Sequence, residues 1–179
     1  LHGNVYIMFS GDPTLSIQRF QTLIGVLARN KLRKITGNII LDPFRFSGVN
    51  HAPGVPLNDR RWHYSAPISA ILINQNKLFF QLRPSPSLHR RVRVFASQAA
   101  RRYARVQPSH VMTTTYADAM KRCTLHLHVS DQNQIYLTGC WPASRYRKGL
   151  KIAIANPVLF AKKIIARTLN KNKIKLLGS

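Results

Sequence analysis

The sequence predicts an α+β / α/β architecture: a small sheet-and-helix layer domain interrupted by a nested all-β module. Three observations point there. The chain opens in a strand-helix-strand order, it closes on a strand-helix pair of the same style, and between them lies a stretch of short strand-like runs without a long helical period. The expected division is 1–83 plus 149–179 for the outer α/β domain and 84–148 for the nested β-rich one. No internal repeat is present.

The first strand is NVYIMF, residues 4–9, rich in β-branched and aromatic side chains and broken by the turn chemistry of SGDP. In the GDP turn, Asp12 and Pro13 prepare a helix. From Ser16, the apolar residues Ile17, Phe20, Leu23, Ile24 and Leu27 recur at spacings of three and four, one stripe on a helix ending near Asn30. ITGNIIL supplies a second strand over 35–41. Residues 43–69 hold four of the ten prolines and form an excursion too long for a simple connection, the length at which loops become functional or disordered. AILINQNKLFFQL then reads as two strands turning at Asn74-Gln75-Asn76. Beyond Arg83 the alternation of RVRVF and its successors predicts β structure as far as Gly139. A strand through Ile154 follows, then Asn156 as N-cap, Pro157 at the first helical position, and a helix carrying Ala161, Ile164, Ile165 and Leu169.

Charge is the strongest compositional signal. Against 28 Lys and Arg stand five acidic residues, all aspartates, for a net charge of +23. Such a balance suits either solvated basic faces or a polyanionic partner: nucleic acid, an anionic membrane surface or a cell-wall polymer. No RNA-recognition sheet motif, zinc finger or helix-turn-helix accompanies it, so no specific nucleic acid is expected. No run of about 18 apolar residues offers a membrane span. The first residues lack the charged start and apolar core of a signal peptide, and a beginning inside a strand without Met reads as a piece of something longer.

Cys123 and Cys140 flank CTLHLHVSDQNQIYLTGC. A hairpin with a symmetric loop at Asp131-Gln132 would set them directly opposite, a geometry suited to a cross-strand disulfide and hence to an oxidising compartment such as a periplasm. The other reading is two buried free thiols. In that register Cys123, Leu125, Leu127 and Val129 share one face, with His126 and His128 on the other. Two histidines at i and i+2 could begin a metal site, but no third ligand or acidic support lies nearby, so no metal is expected.

Catalytic equipment is thin. A serine acyl enzyme of the penicillin-binding kind needs S-x-x-K, S-x-N and K-T-G, and none occurs; SDQN at 130–133 and KITG at 34–37 each carry one residue too many. Glutamate is absent, the aspartates at 12, 42, 59, 118 and 131 are scattered, and no Gly-rich phosphate loop implies a cofactor.

Four strings in order, FSGDPTL (9–15), APGVPLND (52–59), YSAPISAILINQN (64–76) and YLTGCWP (136–142), resemble the D-alanyl-D-alanine carboxypeptidases/endopeptidases of the penicillin-binding-protein class, in the group of penicillin-binding protein 4. The resemblance runs over 1–179. It implies the accessory insertion of such an enzyme, two domains with the second nested in the first, periplasmic and silent alone. Its partners would be the transpeptidase-like catalytic domain of the same enzyme and peptidoglycan stem peptides. By matching positions, Asp59 and Tyr64 would line the substrate side, where a carboxylate beside an aromatic face suits the free ammonium of a diamino acid. Where many members of the family carry a tryptophan before the acidic pair this chain has Leu57 and Asn58, so a stacking role would pass to Trp62 or be absent. The bland alternatives are a salt bridge from Asp59 to Arg60 or Arg61 and loop packing for Trp62 and Tyr64. A different class of function, a basic module binding cell-wall material or nucleic acid, stands beside this reading.

Overall fold

The computed structural model describes residues 2–44, 46 and 51–179. Part of the excursion after Pro43, at 45 and 47–50, lies outside the described residues. In chain order the elements begin with β1 (Val5–Met8) and α1 (Ile17–Arg29). Ser16 caps α1, its hydroxyl accepting from the Arg19 N–H, and Asn30 ends it, as the stripe and the flanking polar residues predict. Asp12 shapes the approach by accepting from both the N–H and the hydroxyl of Thr14, at 2.8 and 2.7 Å. Those bonds, the hydroxyl's first, hold its carboxyl below the usual range.

The expected strand over 35–41 is two strands, β2 (Lys34–Ile35) and β3 (Ile39–Asp42). Between them the Gly37 N–H bonds Gly3 and the Asn38 N–H bonds the Asn4 side chain, so the chain changes pairing partner within one extended run. Nor does a hairpin form at 74–76. Asn74, Gln75 and Asn76 all take positive φ, 54°, 54° and 48°, and only the second half is a strand, β4 (Lys77–Arg83). The first half, Ala70 to Ile73, is pinned instead by backbone bonds from Gly11 and Asn74 to Ala70 and Leu15.

Next come β5 (Arg93–Ala96), α2 (Gln98–Tyr103), β6 (Arg105–Val106), β7 (His110–Thr114) and α3 (Tyr116–Lys121). β8 (Leu125–Val129), β9 (Gln134–Pro142), β10 (Lys148–Ala153), α4 (Pro157–Lys171) and β11 (Lys175–Leu176) complete the chain. The middle stretch is therefore not all-β. Ser97 caps α2, and Thr115 caps α3, its hydroxyl accepting from the Asp118 N–H at 3.1 Å while donating to the Asp118 carboxylate at 2.7 Å.

Two compact units result, residues 1–52, 67–76 and 157–179 in the first, 53–66 and 77–156 in the second. The expected boundaries differ, because β4 pairs with both β5 and β10 and draws 77–83 and 148–153 into the second unit. In the first unit β1 runs parallel to β3 and β2 parallel to β11, while α1 and α4 pack together over Phe20, Ile24, Phe160, Ile164 and Ile165, all buried. Phe9 stacks against Phe20 at 5.5 Å between ring centroids. The second unit holds two sheets, β10-β4-β5 and a four-stranded one centred on β9, flanked by β8 antiparallel and by β6 and β7 parallel. The chain is thus mixed α+β.

The β8–β9 hairpin turns one residue later than a symmetric two-residue loop allows. Ser130 and Gln134 close the turn, and Asn133 occupies a left-handed position at φ 55°. Its amide reads the backbone of Asn156 on both sides, donating to the carbonyl and accepting from the N–H at 2.9 Å each. Val129 faces Ile135 and Leu125 faces Gly139, which shifts the register by one. The disulfide forms nonetheless, Cys123 to Cys140 with 5.3 Å between Cα atoms. The ladder ends at Leu125, Cys123 hangs from the last turn of α3 through the Asp118 carbonyl, and Gly139 bends β9 at φ 90° where a side chain would meet the Thr124 carbonyl.

Candidate functional site

The segment 53–66 belongs to the second unit and is built from turns. Pro56 accepts from Asp59, Asp59 from Trp62, and Trp62 from Ser65, giving two short 3₁₀ turns at Asp59–Arg61 and His63–Ser65. Prolines at 53 and 56 preset the backbone for such turns, which explains the absence of a hydrophobic period. Two contacts anchor the segment. The Arg61 guanidinium donates to the Leu127 carbonyl of β8 at 3.2 Å, and Trp62 forms an antiparallel bridge with Ile152 of β10.

This anchoring brings two of the expected residues together. The Tyr64 hydroxyl donates to Oδ1 of Asp59 at 3.1 Å across the junction of the two turns. Tyr64 is 65% exposed, Asp59 half-buried, and among the described residues Asp59 forms no ion pair with an arginine. Partial desolvation of the phenol, and then the bond to the Asp59 carboxylate, raise the Tyr64 pKa above its ordinary value. His63 sits edge-on to the Tyr64 ring with centroids 5.7 Å apart. Chemically, the pair offers a carboxylate with one oxygen engaged by a phenol, beside an open aromatic face. It accepts hydrogen bonds and attracts cations.

Trp62 stands apart from that pair. Residues directly opposite across a bridge share a face, and its partner Ile152 is fully buried, so Trp62 is aligned with the inner side of the sheet and is half-buried. Arg61 escaped sequence reasoning, because a bond to a carbonyl 66 residues away leaves no local pattern. His126 and His128 project from the open face of β8 as alternation requires, His128 beside Tyr136 at 5.6 Å. Among the described residues no three His, Cys, Asp or Glu side chains gather where they could hold a metal. Nor is any helix there long and apolar enough to cross a membrane.

A family model described as the D-Ala-D-Ala carboxypeptidase 3 (S13) family matches residues 1–179. The chain belongs to the S13 family. It is 27% identical over 180 residues to the D-alanyl-D-alanine carboxypeptidase DacB of Haemophilus influenzae, an alignment covering 99% of the S13 chain and 36% of that protein. A crystal structure of penicillin binding protein 4 (dacB) from Haemophilus influenzae superimposes with a TM-score of 0.85 at 26% identity, over 98% of this chain and 39% of that one. The same protein complexed with a β-lactam gives 0.79 at 24% identity over 100% and 36%, a likeness of fold. The S13 chain therefore spans little more than a third of the length of these relatives.

Proposed function

We propose that this chain is the non-catalytic accessory region of a periplasmic serine D-Ala-D-Ala carboxypeptidase/endopeptidase, supporting recognition of peptidoglycan stem peptides beside a transpeptidase-like domain of the same enzyme. The observation that carries the proposal is the Tyr64–Asp59 hydrogen bond at 3.1 Å on an anchored, solvent-facing segment of an S13 family member. The carboxylate and the exposed ring receive the free ammonium of the stem's diamino acid, and the phenol orients the carboxylate that holds it. Trp62 contributes by fixing the segment to β10. The chain contains no S-x-x-K, S-x-N or K-T-G, which supports a role in binding rather than acylation. The disulfide supports an oxidising compartment.

The test compares two stem peptides on the 179-residue chain, one with its diamino-acid ammonium free and one with it acetylated. The free form is expected to bind roughly three- to tenfold more tightly, the difference vanishing in Asp59→Asn. Equal binding of both peptides to the unaltered chain sinks the assignment of the pair. Covalent labelling of the chain by a fluorescent penicillin sinks the non-catalytic assignment.

A further inference from the structure

Helices α1 and α4 of the first unit border an open cleft of about 370 Å³. α1 lines it with Gln18, Thr22, Gly25 and Arg29, which recur at spacings of three and four and form a stripe on the flank away from the buried Ile17, Phe20 and Ile24. α4 contributes Thr168, Lys171 and, just past its end, Asn172. Three of these side chains bond to backbone nearby. The Thr22 hydroxyl donates to the Gln18 carbonyl at 3.0 Å, the Thr168 hydroxyl to the Ile164 carbonyl at 2.7 Å, and Asn172 Nδ2 to the Thr168 carbonyl at 2.8 Å. The two cations are left over. Arg29 and Lys171 are exposed, neither forms an ion pair among the described residues, and neither helix contains an aspartate.

Gly25 is the unexpected member. A glycine inside a helix lowers its stability relative to alanine, and it belongs there where packing or function requires it. Packing does not require this one. Gly25 takes no positive φ, and beyond α1 itself the nearest atom to a Cβ would be Asn172 Nδ2, at an ordinary contact distance of 4.0 Å. What the missing side chain leaves is the floor of the cleft. Arg29 and Lys171 each sit in a last helical turn, where a cation suits the helix dipole, but that preference accounts neither for Gly25 nor for two unpaired cations bordering one cleft. We propose that the α1–α4 cleft binds a small organic dianion, a phosphate monoester or a dicarboxylate, its oxygens on Arg29 and Lys171 and its polar remainder on Gln18 and Asn172 over Gly25. A guanidinium fork matches the paired oxygens of either headgroup, and the ammonium supplies the second charge. The volume suits a small molecule, and the lining side chains are polar throughout, which favours a polar ligand. The site belongs to the first unit, shares no residue with the Asp59–Tyr64 pair and does not depend on the role given to that pair.

NMR titration of the 179-residue chain at about 150 mM sodium chloride tests it. The probes are glycerol 1-phosphate and malate, with glycerol as the neutral comparison. At least one dianion should bind saturably and shift the backbone amide signals of Gln18, Gly25, Arg29 and Asn172, the tighter of the two identifying the headgroup. Gly25→Leu fills the cleft without altering charge and should weaken that probe roughly tenfold or more. Arg29→Gln with Lys171→Gln should do the same, and carries the test if the leucine variant does not fold. Arg33→Gln with Lys162→Gln removes an equal charge from the same unit outside the cleft and should weaken the probe less than about twofold. Gly25→Ala should raise the melting midpoint by a few degrees while weakening the probe. No saturable binding, shifts spread over the basic surface, glycerol binding as tightly as its phosphate, undiminished binding in a folded Gly25→Leu variant, or equal losses from the two double variants overturns the proposal. So does a Gly25→Ala variant that melts earlier, which would make the glycine a packing requirement.

Discussion

The phenol of Tyr64 is held by a carboxylate, and that bond has a pH signature. Because its folded pKa is raised above the 10.0 of an ordinary tyrosine, Tyr64 keeps its proton more firmly in the folded state. Its contribution to stability is complete below the unfolded pKa and disappears as pH climbs through the higher folded value. NMR titration of the six tyrosine rings should find Tyr64 titrating late, and Asp59→Asn should bring its midpoint down part of the way, desolvation keeping the rest. An unmoved midpoint would mean that no such hydrogen bond exists in solution. Asp59 itself was conspicuous in the sequence, since five acids among 28 bases leave few candidates, and the matching strings led on to Tyr64. Neither signal reported that the two side chains touch. That depends on successive 3₁₀ turns whose closing bonds are all backbone, and on Arg61 reaching β8, features without a residue-type signature.

Elements were legible in proportion to their length. A 13-residue helix such as α1 repeats its stripe several times, and a serine before it and an asparagine after it mark the ends. The six residues of α2 and of α3 complete fewer than two turns, too few for a stripe, so only their caps announce them. In the β8–β9 hairpin the faces were legible and the register was not. Alternation puts Leu127 inside and His126 and His128 outside in either register, whereas the loop length turns on Asn133 accepting a left-handed backbone. The disulfide survives that shift, and it joins the exit of α3 to β9 across a separation of 17 residues. Closing such a loop stabilises by about 3 kcal/mol in the chain-entropy model. Reduction, or Cys123→Ser with Cys140→Ser, should lower the melting midpoint by roughly 6–12 °C for a chain of this size. Identical melts of the oxidised and reduced protein would show that the entropy removed from the unfolded chain is cancelled by strain in the folded one, and would overturn the expected stabilisation.

Across the whole molecule the imbalance of charge sets the response to salt. With 28 basic residues against five acidic ones, pairs such as Arg122 to Asp118 at 3.9 Å cannot neutralise more than a small part of the positive charge, and repulsion dominates. That pair is an exposed i,i+4 contact on α3, of a kind worth about 0.3–0.5 kcal/mol. Folding therefore crowds like charges that the extended chain keeps apart, and each unit bears part of the cost. Screening should relieve it: the Debye length falls from about 30 Å at 0.01 M salt to about 8 Å at 0.15 M, which cuts off the longer-range part of the repulsion. Thermal melts in sodium chloride should rise by several degrees over that interval and then level, and sodium fluoride at equal ionic strength should give the same curve. A midpoint that falls with salt would mean that attractive ion pairs outweigh the repulsion among the excess cations. A rise with one anion and not the other would point to a bound anion in place of general screening. The same measurement bears on the outer face of β10-β4-β5, where the register sets Arg93 opposite Arg83. If it carries part of the repulsion, Arg83→Gln should raise the midpoint at 0.01 M salt and lose that advantage at 0.15 M.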